Sequence, residues 1–270
     1  MPHADLNGQT IHYDVHGDGE PLLCIHGLSV DRRGWVLQLQ PWSQNYKLVV
    51  FDNRDVGESS YANGDYETSD MAHDALALAD HLGLDTFHLL GISLGGMAAQ
   101  HLALMAPERV RTLTLAVTQA GSGAYGVRRG RSLGNVVKCL SHEEHVDQLM
   151  LLCFTEEFFE DEEAADRYRS ALLAHPHPQR PEGFARQVAA GGRHDLRARL
   201  GELSMPVHVI GAERDVLLPV WKSRELAELI PGAKLTVVER AGHGVMWQQA
   251  DDFNRIVLAF LAAVRAEAVR

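Results

Sequence analysis

Apolar positions along this chain switch repeatedly between a two-residue and a near-four-residue period. Gln9–Val15 (QTIHYDV) alternates as a half-buried strand does. Pro21–Gly27 (PLLCIHG) and Lys47–Asp52 (KLVVFD) are short continuous apolar runs, the pattern of strands covered on both faces, and Phe87–Ser93 (FHLLGIS) and Val110–Val117 (VRTLTLAV) also read as strands. Met71–Leu84 and Leu94–Ala106 carry apolar residues at helical spacing. After residue 203 the alternation resumes: strands are predicted at Pro206–Glu213 and Lys234–Glu239, helices at Trp221–Ile230 and Phe253–Ala268. Strands that alternate with helices predict an α/β fold with a mostly parallel sheet and helices on both faces.

The alternation stops between residues 119 and 203. Ser141–Phe154, Asp161–Pro176 and Arg180–Gly192 all read as helices, which predicts a helical cap inserted into the α/β core. The expected division is therefore 1–118 for the first part of the core, 119–203 for the cap and 204–270 for the second part of the core.

The most informative junction is Phe87–Gln100, where a strand run narrows to Gly91-Ile92-Ser93-Leu94-Gly95-Gly96 and continues as a helix. A serine hydroxyl becomes a nucleophile only with a base, a group orienting that base, and donors for the oxyanion. G-x-S-x-G between a strand and a helix supplies the setting: the glycines two residues either side of Ser93 remove side chains that would collide. The partners follow downstream. Asp215 lies just past the strand at Pro206–Ile210, and His243 stands between Gly242 and Gly244 past the strand at Lys234–Glu239. All three would emerge at the carboxyl edge of the sheet. Asp215 could instead cap the turn before Pro219, leaving another carboxylate as the acid.

Taken with His26-Gly27-Leu28 after an early strand and Asp52–Ser59 (DNRDVGES), this Ser…Asp…His order resembles the α/β-hydrolase superfamily, in the style of capped serine esterases and lactonases. The resemblance covers nearly the whole chain. It implies an eight-stranded-type sheet and an oxyanion hole of the Leu28 and Leu94 amides. It also implies pocket walls at Trp35 and Met246, and hydrolysis of a small-molecule ester or lactone without cofactor or metal. A carbon–carbon bond hydrolase, a cofactor-free perhydrolase or a ligand receptor of the same fold stays open. Serine rather than aspartate at the elbow argues against relatives with a carboxylate nucleophile. Members commonly read D-x-R-G-x-G-x-S, and here Asp55 replaces the first glycine. Aspartate tolerates left-handed backbone better than most residues, so the turn is expected to survive.

Composition narrows the partners. The 270 residues are 46% hydrophobic, enough for a large core. With 25 Lys+Arg against 36 Asp+Glu the formal charge is −11 and no basic tail exists, so no nucleic-acid partner is expected. No window reaches a membrane span and the N-terminal stretch lacks a leader pattern, so a soluble, cytoplasmic protein is expected. Three cysteines without CxxC spacing suggest neither a disulfide framework nor a zinc site.

Other features read as structural. His26 is expected to hold the oxyanion loop. His142 and His145 share a helix face but have no third ligand nearby, so a solvated pair is expected. Gly121–Gly126 (GSGAYG) matches G-x-G-x-x-G, yet the following VRRGRSLGNVV does not read as a clear helix. The glycines are taken as a flexible entrance to the cap. Arg128, Arg129 and Arg131 read as a solvated loop that could also contact an acidic substrate. Leu149–Phe159 is expected to pack as core or to line an acyl pocket.

Overall fold

A computed structural model describes residues 2–268. The strands are β1 (His3–Leu6), β2 (Gln9–His16), β3 (Glu20–Ile25), β4 (Tyr46–Phe51), β5 (Phe87–Ile92), β6 (Val110–Ala116), β7 (Val207–Ala212) and β8 (Lys234–Val238). They form one eight-stranded sheet in the order β1-β2-β4-β3-β5-β6-β7-β8. The β1–β2 and β2–β4 pairings are antiparallel, and from β4 to β8 every neighbouring pair is parallel. The helices are α1 (Val36–Ser43), α2 (Thr68–His81), α3 (Leu94–Met105), α4 (Gly123–Val136), α5 (His142–Cys153), α6 (Glu156–Phe159), α7 (Glu162–Leu173), α8 (Pro181–Arg193), α9 (Trp221–Leu229), α10 (Val245–Gln248) and α11 (Ala250–Ala268). No helix among the described residues is long and apolar enough to cross a membrane.

The continuous apolar runs are explained by how their side chains divide. Successive strand residues face opposite sides. Leu23, Ile25, Val49, Phe51 and Leu89 pack on one side with α2 and α3, while Leu22, Cys24, Leu48, Val50 and Leu90 pack on the other with Trp42 and α11. Both faces are covered, so β3, β4 and β5 are almost wholly apolar, while in β6 Thr112 and Thr114 alternate with Leu113 and Leu115 although all four are buried. β1 was not expected; it is four residues long and pairs antiparallel with β2 at the sheet margin.

The helices α4–α8 all lie between β6 and β7. The ends of this excursion are tied together by an isolated antiparallel bridge between Gly121 and Asp195. Ser122 N–H donates to the His194 carbonyl (2.8 Å) and Leu196 N–H to that of Ala120 (2.9 Å). The stretch read as a flexible entrance is instead the helix α4. Its glycines at 126, 130 and 134 recur every fourth residue, on the face that lies against α8. A Cβ on Gly130 would come within 3.0 Å of the Val188 carbonyl oxygen, and one on Gly134 within 3.4 Å of Ala185 Cα. Each glycine weakens a helix by about 1 kcal/mol relative to alanine, and the close approach to α8 offsets that cost. Helical periodicity was hidden because the buried face carries no side chain.

Candidate active site

The turn after β5 places Ser93 at φ 53°, ψ −118°, a conformation non-glycine residues rarely adopt. Its N–H donates to the Ala116 carbonyl (2.9 Å), and Thr118 Oγ1 donates to the Ser93 carbonyl (2.7 Å). The flanking glycines are there for space. A Cβ on Gly91 would meet the Gly95 carbonyl oxygen at 2.5 Å, and one on Gly95 would meet that of Ile25 at 2.2 Å.

Asp215 follows β7 and His243 follows β8, and the sheet brings both to Ser93. His243 Nδ1 lies 2.7 Å from Asp215 Oδ2, and Nε2 lies 2.9 Å from Ser93 Oγ. An ionised carboxylate can only accept, so Nδ1 carries the hydrogen and Nε2 accepts from the serine hydroxyl. The other oxygen of Asp215 accepts the amides of Leu217 (2.8 Å) and Leu218 (2.7 Å). The carboxylate therefore caps its turn and orients the imidazole at once. The three residues are only 4–8% exposed. The glycines around His243 also have a steric origin: a Cβ on Gly242 would meet the Cys153 carbonyl oxygen at 2.6 Å, and the Gly244 amide donates to that same oxygen (2.7 Å).

Leu28 lies in the loop after β3 and faces the same cavity as Ser93 and Leu94. The Leu94 amide opens α3, where helix geometry leaves the first N–H groups without an intrahelical acceptor. Gly27 lets this loop touch the elbow, since a Cβ there would be 3.0 Å from Ser93 Cβ. The loop is held from three sides. Asn53 Nδ2 donates to the His26 carbonyl (3.0 Å), the Gly27 amide donates to His26 Nδ1 (2.7 Å), and the Ser29 amide donates to Gln187 Oε1 (3.0 Å). Burial pushes His26 down to about 3, so its ring is neutral near pH 7, and it stacks on Trp247 at 5.5 Å. Asn53 falls inside the Asp52–Ser59 stretch, which by itself does not show the contact with His26, and Gln187 has no local mark because its partners lie far away in sequence.

Two openings flank Ser93. One is a narrow lobe of about 60 Å³ under α4 and α8, with Leu94, Met97, Leu133 and Val188 in its walls and Arg129 at its side. The other passes His243, Met246, Leu149 and Trp247. It shares Leu149 and Trp247 with a larger cavity of about 370 Å³ reaching α5 and α7. Met246 borders this second opening. Trp35 does not line these cavities: it is fully buried beneath His26 (ring centroids 4.7 Å apart) and packs on Trp42, because the short helical turn at Arg32–Trp35 aims it into the core. Trp247 forms the wall instead, its Nε1 donating to the Gly34 carbonyl (2.8 Å).

Leu149 lines the cavity, whereas Met150 and Phe154 pack with Phe158 and Tyr168 in a cluster of α5–α7 separate from those on the sheet. His145 is not solvated; it packs edge-on against Phe184 (4.8 Å). Among the described residues no group of three His, Cys, Asp or Glu is placed to hold a metal. Cys153 borders the cleft, but burial pushes its thiol up to about 12, which leaves little thiolate to rival Ser93.

A model of the alpha/beta hydrolase family matches residues 22–256. The chain is 26% identical over 264 residues to a protein of Azorhizobium caulinodans provisionally named carbamate hydrolase RutD, covering 98% of this chain and 99% of that one. It is 30% identical to the 2-hydroxy-6-oxononadienedioate/2-hydroxy-6-oxononatrienedioate hydrolase 1 of Dechloromonas aromatica, over 96% of this chain and 92% of the relative. Among solved structures it is similar to the enol-lactonase of Burkholderia xenovorans LB400, with a TM-score of 0.87, 26% identity and coverage of 97% and 100%.

Proposed function

The chain belongs to the alpha/beta hydrolase family, and on that premise we propose that it hydrolyses a carboxylic ester or lactone through an acyl-enzyme on Ser93. The observation that carries this reading is the continuous Ser93–His243–Asp215 hydrogen-bond chain, with Leu28 and Leu94 lining the same cavity as Ser93. His243 takes the Ser93 proton as Oγ adds to the acyl carbon, and Asp215 stabilises the resulting imidazolium. The two amides donate to the oxyanion. Collapse of the tetrahedral intermediate breaks the ester C–O bond, and the departing alkoxide takes the proton from His243. Water then adds to the acyl-enzyme by the same route and releases the acid. In a lactone the alcohol stays tethered to the acyl group. Every step uses groups of the chain itself.

In this reading residues 1–118 and 204–270 form the catalytic core and 119–203 a cap that selects the substrate, with Met246 and Trp247 as pocket walls. The cysteines are all unpaired, which suits a reducing compartment, and the proposal places the enzyme in the cytoplasm. A fluorophosphonate probe is expected to label Ser93 by mass mapping. Ser93→Ala is expected to lose the label and to lower kcat on p-nitrophenyl esters by about 10⁴-fold or more. Label on another residue, or turnover retained by Ser93→Ala, overturns the assignment. Repeated turnover also separates an enzyme from a receptor of the same fold.

The similarity to the Azorhizobium protein favours a second reading, carbamate hydrolysis at the same serine. An alkyl carbamate cleaved faster than its ester analogue would select it.

A further inference from the structure

Arg129 is unusual among the arginines of this chain. Most are held in ion pairs, as Arg54 is with Asp74 and Arg186 with Asp55. Those without a carboxylate partner, such as Arg128, Arg131 and Arg240, are exposed. Arg129 is half-buried at the wall of the narrow lobe that holds Ser93, and among the described residues no carboxylate lies within ion-pair distance of it. Its guanidinium has five N–H donors. One donates to the Leu217 carbonyl, and the group lies 5.8 Å from the Tyr125 ring centre. The nearby carboxylate that influences it, Asp215, is committed to His243 and to the Leu217 and Leu218 amides. Burial lowers the Arg129 pKa, with Tyr125 and Asp215 opposing that effect, as for a cation still wanting a counter-charge.

We propose that Arg129 binds a carboxylate of the substrate in the narrow lobe, so that the natural substrate is an ester or lactone carrying a free acid group. This rests on Ser93 being the nucleophile, since the lobe matters only if the reacting carbonyl lies beside it. The remaining walls, Met97, Leu133 and Val188 among them, exclude water without offering another counter-ion, which strengthens a guanidinium–carboxylate contact. A slot of about 60 Å³ suits a flat carboxylate at the end of a short chain better than a tetrahedral phosphate. The net charge of −11 repels anions at long range, so a preference for an acid has to come from this local contact.

The test compares matched substrates by pH-stat. Monoethyl glutarate against ethyl pentanoate places the acid on the acyl side; γ-acetoxybutyrate against butyl acetate places it on the alcohol side. The wild-type enzyme is expected to favour the acid of at least one pair by about ten-fold or more in kcat/KM. Arg129→Gln is expected to collapse that ratio, chiefly through KM, and Arg129→Lys to restore part of it. Equal rates within both pairs, or a ratio that survives Arg129→Gln, overturn the proposal. The wild-type ratio needs no variant, so a misfolded Arg129→Gln leaves the test intact. Turnover of the neutral esters with Ser93 labelled, but without acid preference, sinks the Arg129 inference alone. No turnover and no label sinks the serine hydrolase reading with it.

Discussion

Gly27 decides how closely the loop after β3 approaches Ser93, the proposed nucleophile. A methyl group there would sit 3.0 Å from Ser93 Cβ and 3.3 Å from the Ile92 carbonyl oxygen, so the loop or the elbow must move by a few tenths of an ångström. Displacements of that order matter to a transition state far more than to a fold. Gly27→Ala is expected to lower kcat by about 10²-fold while shifting Tm by only a few degrees. Steady-state kinetics beside thermal unfolding checks this, and undiminished kcat would mean the loop is not held against Ser93. The same scale explains what the sequence revealed of the site. Ser93, Asp215 and His243 each follow a strand and sit in turns with local signatures of glycine or proline. Gln187 joins the Ser29 amide to the Arg54 carbonyl and has no such neighbourhood, and Trp247 differs from any core tryptophan only by where α10 puts it.

At the scale of elements, β3, β4, β5 and β7 are legible because burial on both faces makes their runs nearly continuous, and β6 and β8 because β-branched residues and leucine fill short runs after a helix. The missed elements are those whose local pattern is diluted: β1, α6 and α10 by their shortness, α1 by Pro41, and α4 by glycines on its buried face. The departure at Asp55 proves structural. It adopts φ 70°, as the glycine it replaces would, and its carboxylate accepts from Arg186 of α8 (2.8 and 2.6 Å) and from the Ala62 amide (2.9 Å). It thus ties the loop after β4 to the helices between β6 and β7. Asp55→Gly relieves about 1–2 kcal/mol of backbone strain but removes charged hydrogen bonds to a side chain that is itself partly solvated. The bonds are expected to win by about 1 kcal/mol, read as a lower urea midpoint at unchanged m-value. A neutral or stabilising Asp55→Gly would show that the ion pair contributes nothing net.

Over the whole molecule, histidine governs the response to acid. Burial is the main cause that pushes His26 and His194 down to about 3, and His101 and His208 down to about 4. In the unfolded chain each takes a proton near pH 6.5. Below that pH the unfolded state therefore binds protons that the native state refuses, and stability falls as pH falls. The loss continues until the native rings titrate, near pH 4 for one pair and pH 3 for the other. Each fully responding ring contributes a slope of about 1.4 kcal/mol per pH unit. Urea midpoints measured from about pH 7 to about pH 5 are expected to drop steadily, and a flat profile would refute buried neutral histidines as the cause.

The glycine seam between α4 and α8 has a consequence for what the cleft can admit. Where main chains meet with only small groups such as Ala185 Cβ and Val188 Cγ1 between them, few rotamers can turn aside, so the two helices yield mainly by moving together. The wall opposite is different in kind. Rings of Phe154, Phe158 and Tyr168 fill it, and Arg169 of α7 reaches Glu143 and Asp147 of α5 at the surface. Those side chains can rearrange one at a time. The size limit is therefore expected to be steeper on the Arg129 side of Ser93 than on the other, so that lengthening a substrate costs abruptly at one end and progressively at the other.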